Sequence, residues 1–439
     1  MKKKALTLPI LISLVVGNMI GTGIYVLPAS LAHYGTISLL SWVFTSLGAI
    51  CLALTFAHLN KRYPRSGGPY LYVKQAYGRT AGFTIAYTYW ASNMISIAAI
   101  TVASVGYLGF VWPAIDANAP HFNPTLTLII EISIVWIFTL INIIGLHTAG
   151  VLQVGLTLIK IIPLILLALV GIFYIEPTNL AEFNMLGISN FSALSSAAAL
   201  TFWAFIGLES ATVPSGDTNG PLDVYRATVY GTLITASIYI LTTFVIMGMI
   251  PATQLSNSQF PFAIAGIHLF GAKAAVIIAL CAVFSGLGAL NACILIQGQL
   301  VYAAARDQLF PSIFLKLTQF KTPMVGQILS SSLISLFLFM TLKPTLLGQF
   351  NVVILLAACL TLTTYLLTAL SEIKFILEEK KSIRKACLSQ AMIVAVLAGA
   401  YAVWMISSLD SSILLISFGI IFLIIPLGFF LLNRFVRIS

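Results

Sequence analysis

Charged residues are scarce in this sequence. Of its 439 residues, 8% are Asp, Glu, Lys or Arg and 59% are apolar. Soluble domains carry about 25% charged residues, and the mean hydropathy of +1.03 is correspondingly high. The loops between apolar runs are short, so we expect no appended soluble domain. The composition predicts an integral membrane protein.

Cysteine and histidine are few and widely separated. The five cysteines are Cys51, Cys281, Cys293, Cys359 and Cys387. Neither they nor the five histidines have the paired spacing of a disulfide framework or a metal site. We therefore interpret the cysteines as packing residues, and we expect no metal site and no cofactor.

Acidic residues are outnumbered by basic ones, 12 to 22, which gives a formal net charge of +10. If the first span runs outward, all basic residues except Lys160, Lys273 and Lys343 fall on the cytoplasmic side. Acidic residues such as Asp116 and Glu182 fall on the opposite side. This is the positive-inside pattern. It predicts a multi-pass protein of the cytoplasmic (inner) membrane, with both termini cytoplasmic, embedded in the lipid bilayer and without a nucleic-acid partner.

Long apolar runs dominate the chain. A helix needs about 20 apolar residues to cross a bilayer, and outer-membrane strands are shorter and alternate in polarity. The sequence therefore predicts an all-α fold with 12 transmembrane helices. The runs lie near 6–31, 36–58, 80–112, 125–145, 149–175, 192–214, 225–250, 272–304, 325–342, 347–372, 387–406 and 411–433.

Two of these runs have glycine at their centres. The first contains "GNMIGTGIYVLP" (17–28), and the sixth is "FSALSSAAALTFWAFIGLESATVPSGD" (191–217). Interrupted spans at matching positions in two halves point to an inverted-repeat transporter site. Unwinding at Gly17–Gly23 would expose N–H groups to a carboxylate, and unwinding near Phe205–Gly207 would expose carbonyls to an ammonium. Glu209 adds an acidic group at a depth where it usually faces a cavity or a partner.

The glycines of the first span have a second interpretation. Gly17 and Gly21 have small-xxx-small spacing, which permits close helix packing without any break. The matched interruption of the sixth span favours the site.

Four motifs together resemble a known family. "GNMIGTGIYVLP", "YPRSGGPYLYVKQAYG", "FWAFIGLESA" and "AAARDQLFP" resemble, in order and spacing, the amino acid–polyamine–organocation (APC) superfamily. The resemblance is strongest to its basic amino acid/polyamine antiporter branch, which includes the arginine–agmatine exchanger. It implies a five-plus-five inverted repeat of the leucine-transporter type, with helices 1 and 6 broken. The repeats would be 1–175 and 188–372, followed by helices 11 and 12 in 387–433. A homodimer is compatible with it.

The resemblance also implies a substrate site, transferred position by position. Asn18, Thr22 and Gly23 match the segment that binds the substrate carboxylate. Met19, Trp203 and Ile206 match positions whose carbonyls bind the ammonium, and Trp203 also matches a gate. A second gate would consist of Tyr89, Glu209 and Tyr365, although each tyrosine could equally be a core residue.

Some positions depart from the arginine–agmatine exchanger. Cys293 stands where that protein has a substrate-facing Trp, and Ser92 and Asn93 lie where its substrate side chain is contacted. These changes leave arginine open as the substrate. Asn291 has two interpretations, a polar pocket residue or an interhelical hydrogen bond.

Lys160 lies deep in the fifth span, too deep to snorkel easily. It resembles the lysine that occupies the sodium position in sodium-independent relatives. The alternative is a lysine that reaches an aqueous vestibule. We assign coupling to Lys160 and Glu209. Glu131, in the fourth span, has no obvious partner in the sequence.

These features predict a sodium-independent secondary transporter of amino acids or amines that works by alternating access. An exchanger with a cationic or neutral substrate is favoured, and a proton-coupled amino acid importer is the alternative. A channel would need polar rings along a pore, and a membrane-embedded enzyme would need clustered catalytic groups. The sequence shows neither pattern.

Overall fold

The computed structural model describes residues 6–116, 119–180, 182–340, 346–379 and 389–436. Within these ranges the regular structure is helical, and strand pairing is limited to isolated bridges. This confirms the predicted all-α class. Lys343 and Cys387 lie outside the described residues, as does the beginning of the predicted segment 387–433.

The helices follow the predicted apolar runs closely. Several begin with proline at the first helical positions, where its fixed φ suits the helix and its missing N–H is not needed. In chain order they are α1 Leu8–Met19, α2 Gly23–Ala32, α3 Ile37–Arg62, α4 Pro69–Gly109, α5 Pro124–Ile144, α6 Leu146–Gly171, α7 Asn190–Trp203, α8 Pro221–Met249, α9 Ala252–Ser256, α10 Pro261–Phe270, α11 Ala272–Arg306, α12 Met324–Met340, α13 Leu346–Glu379, α14 Gln390–Ser407 and α15 Ser411–Val436.

Nine helical stretches among the described residues are long and apolar enough to cross a membrane. They match nine of the predicted runs, with α1 and α2 counted as one stretch. The other three runs correspond to α7, α12 and α15. Of these, α7 has 14 residues and α12 has 17, and the apolar stretch of α15 is Ser411–Leu423. The structure thus supports a multi-pass membrane protein, and the number twelve stays a prediction.

One long helix contains a sharp bend. In α4, Gly78 has φ +85° and ψ −175°, outside the helical region. A side chain would strain this left-handed φ, whereas glycine adopts it readily. The bend separates a short initial helix from the apolar span, and the predicted span beginning at residue 80 starts just beyond it.

The broken helices occupy the interior of the bundle. The first half-helix, α1, packs against α6, α8 and α11, while α7 packs against α3 and α13. Helix α4 lies against α11 and α13. This packing encloses the ends of α1 and α7 between longer, continuous helices.

Candidate functional site

The first break is shorter than the sequence predicted. Helix α1 continues through Met19, and α2 begins at Gly23. Only Ile20–Thr22 leave the helix, and Ile20 is extended with φ −79° and ψ 97°. The prediction that unwinding starts at Gly17 was wrong, because Gly17 and Asn18 remain in the last turn of α1.

The second break lies where it was predicted. Helix α7 ends at Trp203, and Gly207 has φ +107°, a left-handed value that favours glycine. Beyond the break the chain forms short 3-10 turns at Ser210–Thr212 and Ser215–Asp217. The second half of the predicted sixth span is therefore not a continuous α-helix.

A cavity of about 30 Å³, lined mostly by buried residues, lies between the two breaks. Space of this size accommodates about two water molecules, so an amino acid can enter only if the surrounding side chains move. Nine predicted site residues line it: Asn18, Met19, Tyr89, Ser92, Asn93, Trp203, Ile206, Glu209 and Cys293. The sequence analysis missed three further lining residues: Gly21, Ser96 and Ile100.

Asn18 connects both broken segments to α11. Its Nδ2 donates to Ser210 Oγ at 2.6 Å, and the Cys293 thiol donates to its Oδ1 at 2.8 Å. A Cβ added to Gly207 would lie 2.5 Å from Asn18 Nδ2. The two breaks therefore meet through a small polar side chain that requires a glycine opposite it.

The predicted second gate is assembled as a buried triad. The hydroxyls of Tyr89 and Tyr365 donate to the two carboxylate oxygens of Glu209, one to each. All three side chains are buried. Tyr365 does not line the cavity but closes the far side of the carboxylate. Two donors are what a carboxylate needs when it is removed from water.

The triad thus unites three residues from α4, the second break and α13. The resemblance to the family grouped these residues, and the structure brings them into contact. Tyr89 and Tyr365 are core residues as well, because both rings are buried in apolar clusters.

Three predicted site residues in or next to the first break have contacts within the protein. Thr22 donates its hydroxyl to Ile100 O at 3.3 Å, and its side chain does not line the cavity. Gly23 lies against the Trp203 ring, which a Cβ would approach to 2.0 Å. The Met19 carbonyl, a predicted ammonium ligand, already accepts from Tyr239 Oη at 2.5 Å.

Lys160 holds the end of α1. Its Nζ donates to the carbonyl oxygens of Gly17 at 2.7 Å, Ile20 at 2.5 Å and Ser285 at 3.4 Å. The side chain is fully buried, which disagrees with a lysine extended into an aqueous vestibule. Carbonyls at a helix C-terminus have no intrahelical partner, so the ammonium satisfies two of them.

Asn291 lies apart from the cavity. Its Oδ1 accepts from Asn142 Nδ2 at 3.0 Å, and its Nδ2 donates to Gln153 Oε1 at 2.9 Å. The side chain therefore joins α5, α6 and α11, as the interhelical interpretation predicted, and it is not a pocket residue. Glu131 is buried in α5 and does not line the cavity either.

The sequence analysis overlooked several supporting residues. Tyr239 and Ser285 are buried and donate to backbone carbonyls at the first break. Gln153 is also buried and bonds Asn291 on α11. Each is a polar residue within an apolar run. That signal could have identified them as candidates, although it does not reveal which helix they face.

Comparison with known proteins identifies the family to which the chain belongs. A sequence model of the amino acid permease family matches residues 6–434. A Bacillus subtilis protein named for arginine/ornithine antiport is 30% identical, with 97% of each chain covered. The putrescine transporter PotE of Escherichia coli K12 is 33% identical over 80% of this chain and 79% of its own.

A third relative is the cadaverine/lysine antiporter of the same Escherichia coli strain. It is 31% identical over 82% of this chain and 81% of its own. All of these names describe the movement of amino acids or amines across membranes, and two of them describe antiport. The chain belongs to the amino acid permease family of the APC superfamily, in its basic amino acid/polyamine antiporter branch.

Proposed function

We propose that this protein is a sodium-independent secondary transporter that exchanges amino acids or amines across the cytoplasmic membrane by alternating access. The observation that carries the proposal is the meeting of two helix breaks at one buried cavity, joined by the hydrogen bond from Asn18 to Ser210. Backbone polar groups are tolerated at membrane depth only where they are buried in protein or line a cavity. The relatives named for ornithine, lysine and diamines favour a cationic substrate, and a neutral one is the second possibility.

The substrate head would bind between the two half-helices. Helix α2 begins at Gly23, so its first N–H groups lack intrahelical acceptors and its positive dipole end suits a carboxylate. Asn18 and Thr22 would complete this side of the site. Carbonyls of Met19, Trp203 and Ile206 would bind the ammonium. Their proximity to the cavity supports these roles.

The substrate side chain would lie toward α4 and α11. Ser92, Asn93 and Cys293 line this part of the cavity. In this role Trp203 would cover the substrate, since an indole face attracts cations. The triad of Tyr89, Glu209 and Tyr365 would form the second gate, toward the cytoplasm.

The contacts of Lys160 support sodium independence. A fixed ammonium that bonds the Gly17 and Ile20 carbonyls occupies the acceptors that a sodium ion would need. It would support α1 in one conformation of the cycle, which makes Lys160 a coupling residue together with Glu209.

We further propose an architecture of 12 spans, with inverted repeats 1–175 and 188–372 and two additional helices in 387–433. Both termini would be cytoplasmic. The matched breaks in the two halves support the repeats, and the distribution of basic residues supports the orientation. We also propose that the protein can form a homodimer.

The proposal is tested by ion replacement in proteoliposomes. Purified protein would be loaded with unlabelled ornithine, and uptake of labelled ornithine would be measured in sodium and in choline buffers. Equal uptake supports sodium independence, and a strict sodium requirement contradicts it. The second candidate, a proton-coupled importer, is favoured by the buried Glu209 carboxyl between two tyrosine hydroxyls. It predicts uptake driven by an inward proton gradient instead.

A further inference from the structure

Beyond the Glu209 triad, α3 and α13 run side by side. The Phe56 ring contacts the Tyr365 ring with centroids 5.1 Å apart, and Tyr63 contacts Phe375 at 5.2 Å. Residue numbers increase along both helices between the two contacts, so the helices are parallel here. The line of contact leads from the gate tyrosine toward the end of the bundle that carries Arg62.

Asn60 and Glu372 lie on this line of contact. Asn60 follows Phe56 by four residues and Glu372 precedes Phe375 by three, and residues three or four apart share one face of a helix. Asn60 is fully buried, and Glu372 is 3% exposed. This spacing places a carboxamide on the face of α3, and a carboxyl group on the face of α13, that carry the ring contacts between the two helices.

Both groups have polar atoms without partners. Asn60 Nδ2 and Oδ1 and Glu372 Oε2 make no hydrogen bond to any residue that the structure describes. Buried side-chain polar atoms are nearly always bonded, so each exception requires an explanation. The explanation we favour is that their partner is a ligand, which binds when the two helices separate.

The charges around Glu372 are unbalanced. Among the described residues, Arg62 and Glu379 carry the charges that act on its carboxyl group. Arg62 is bonded to Glu379 and lies over the Phe375 ring, 5.3 Å from its centroid. Lys374, on the same helix, donates instead to Ala76 O at 2.5 Å. Arg62 is thus paired with Glu379, and no cationic side chain among the described residues forms an ion pair with Glu372.

A primary ammonium matches this environment. It has three N–H donors and no acceptor, so it can bond a carboxylate oxygen and an amide oxygen together. It also supplies the missing positive charge. A carboxylate ligand would be repelled, and an apolar one would leave the orphaned atoms unpaired.

We propose that Asn60 and Glu372 form a second site for the substrate ammonium, the inner site, between the Glu209 triad and the cytoplasm. The inference rests on the proposed function and orientation. Phe56 separates this site from the central cavity, because its ring contacts both Tyr365 and Tyr72. Movement of Tyr365 as the triad opens would free Phe56 and join the two sites.

The test is a side-specific KM measurement. The protein would be reconstituted in one known orientation, and KM for labelled ornithine would be determined at each face for wild type, Glu372→Gln and Glu378→Gln. Glu378 is the matched control, since it lies on the same helix with 59% of its side chain exposed. We expect Glu372→Gln to raise the cytoplasmic KM about tenfold and leave the outer KM within about twofold. Glu378→Gln should change neither value.

Two further variants keep the test decisive if Glu372→Gln folds poorly. Glu372→Asp retains the charge and should restore most of the cytoplasmic affinity, and Asn60→Ala should raise the cytoplasmic KM alone. Equal changes at both faces, or no change in either variant, would overturn the inner site and leave the proposed function intact. If the wild type transports no ornithine, both proposals fail.

Discussion

The ammonium of Lys160 lies 2.7 Å from the carbonyl oxygen of Gly17 and thereby connects the middle of α6 to the last turn of α1. A second bond reaches Ile20, the first residue outside the helix. A positive charge near a helix C-terminus is electrostatically favourable. One buried side chain thus stabilises the end of a helix that stops within the membrane.

Replacement of Lys160 by alanine should nearly abolish transport. The change leaves the Gly17 and Ile20 carbonyls unpaired, and each orphaned buried acceptor costs about 1–3 kcal/mol. A loss of about two orders of magnitude in initial uptake rate follows if the break is no longer held. The measurement is labelled ornithine exchange in proteoliposomes, normalised to the amount of inserted protein.

Lys273→Ala serves as its control, because Lys273 is exposed at the beginning of α11. It should retain wild-type rates. Wild-type exchange by Lys160→Ala would show that this lysine does not hold the break.

A methyl group at Gly17 should destabilise the protein. A Cβ there would lie 1.9 Å from Gln153 Nε2 and 2.7 Å from Thr157 Oγ1. Overpacking of this kind costs about 1–3 kcal/mol, so Gly17→Ala should lower the melting temperature in detergent. Gly155→Ala is the matched control on α6, since a Cβ at Gly155 has no neighbour within 4 Å. Equal melting temperatures for the two variants would argue against the close packing of α1 on α6.

The triad should behave as one unit. Tyr89→Phe and Tyr365→Phe each remove one hydroxyl donor from Glu209, and each should reduce the exchange rate about tenfold. The double variant should lose less than the product of the two effects, because both act on the same carboxylate. Tyr174→Phe, at a tyrosine with 54% exposure, is the control. Strictly multiplicative losses would mean that the two hydroxyls act independently.

Cys293 should report occupancy of the cavity. The thiol lines the cavity and is 4% exposed, so a small cationic methanethiosulfonate can reach it only when the cavity opens. The reagent should inhibit the wild type, excess ornithine should slow the inhibition, and Cys293→Ser should be insensitive. Cys51 and Cys281 remain in that variant as internal controls. Inhibition that persists in Cys293→Ser would place the sensitive thiol elsewhere.

The sequence pattern predicted that the first and sixth apolar runs are interrupted, although the first break is shorter than expected. The members of the triad came from the resemblance to the family. Glycine and polar residues are uncommon at the centre of an apolar run, so both interruptions could be recognised in the sequence. A carboxyl group at the depth of Glu209 usually faces a cavity or a partner. The resemblance also placed Lys160 against the first span, where a buried ammonium finds the oxygen acceptors that it needs.

Other features of the site could not be predicted from the sequence. Asn291 and Thr22 lie at suitable depths, but depth does not specify which neighbour a side chain faces. Asn291 turned out to bond Asn142 and Gln153 across the helices. Ser96 and Ile100 carry no distinctive chemistry, so only packing identifies them as cavity residues. The 3-10 turns after Glu209 arise from contacts with distant segments, such as the bond from Gly216 N to Ser66 Oγ.

The central claim is that the two breaks form one exchange site, and counterflow tests it most directly. Liposomes containing the purified protein would be prepared either empty or loaded with unlabelled ornithine, and uptake of labelled ornithine would be followed without sodium at equal internal and external pH. The account predicts rapid uptake into loaded liposomes and almost none into empty ones. Equal uptake into both, or none into either, would contradict it.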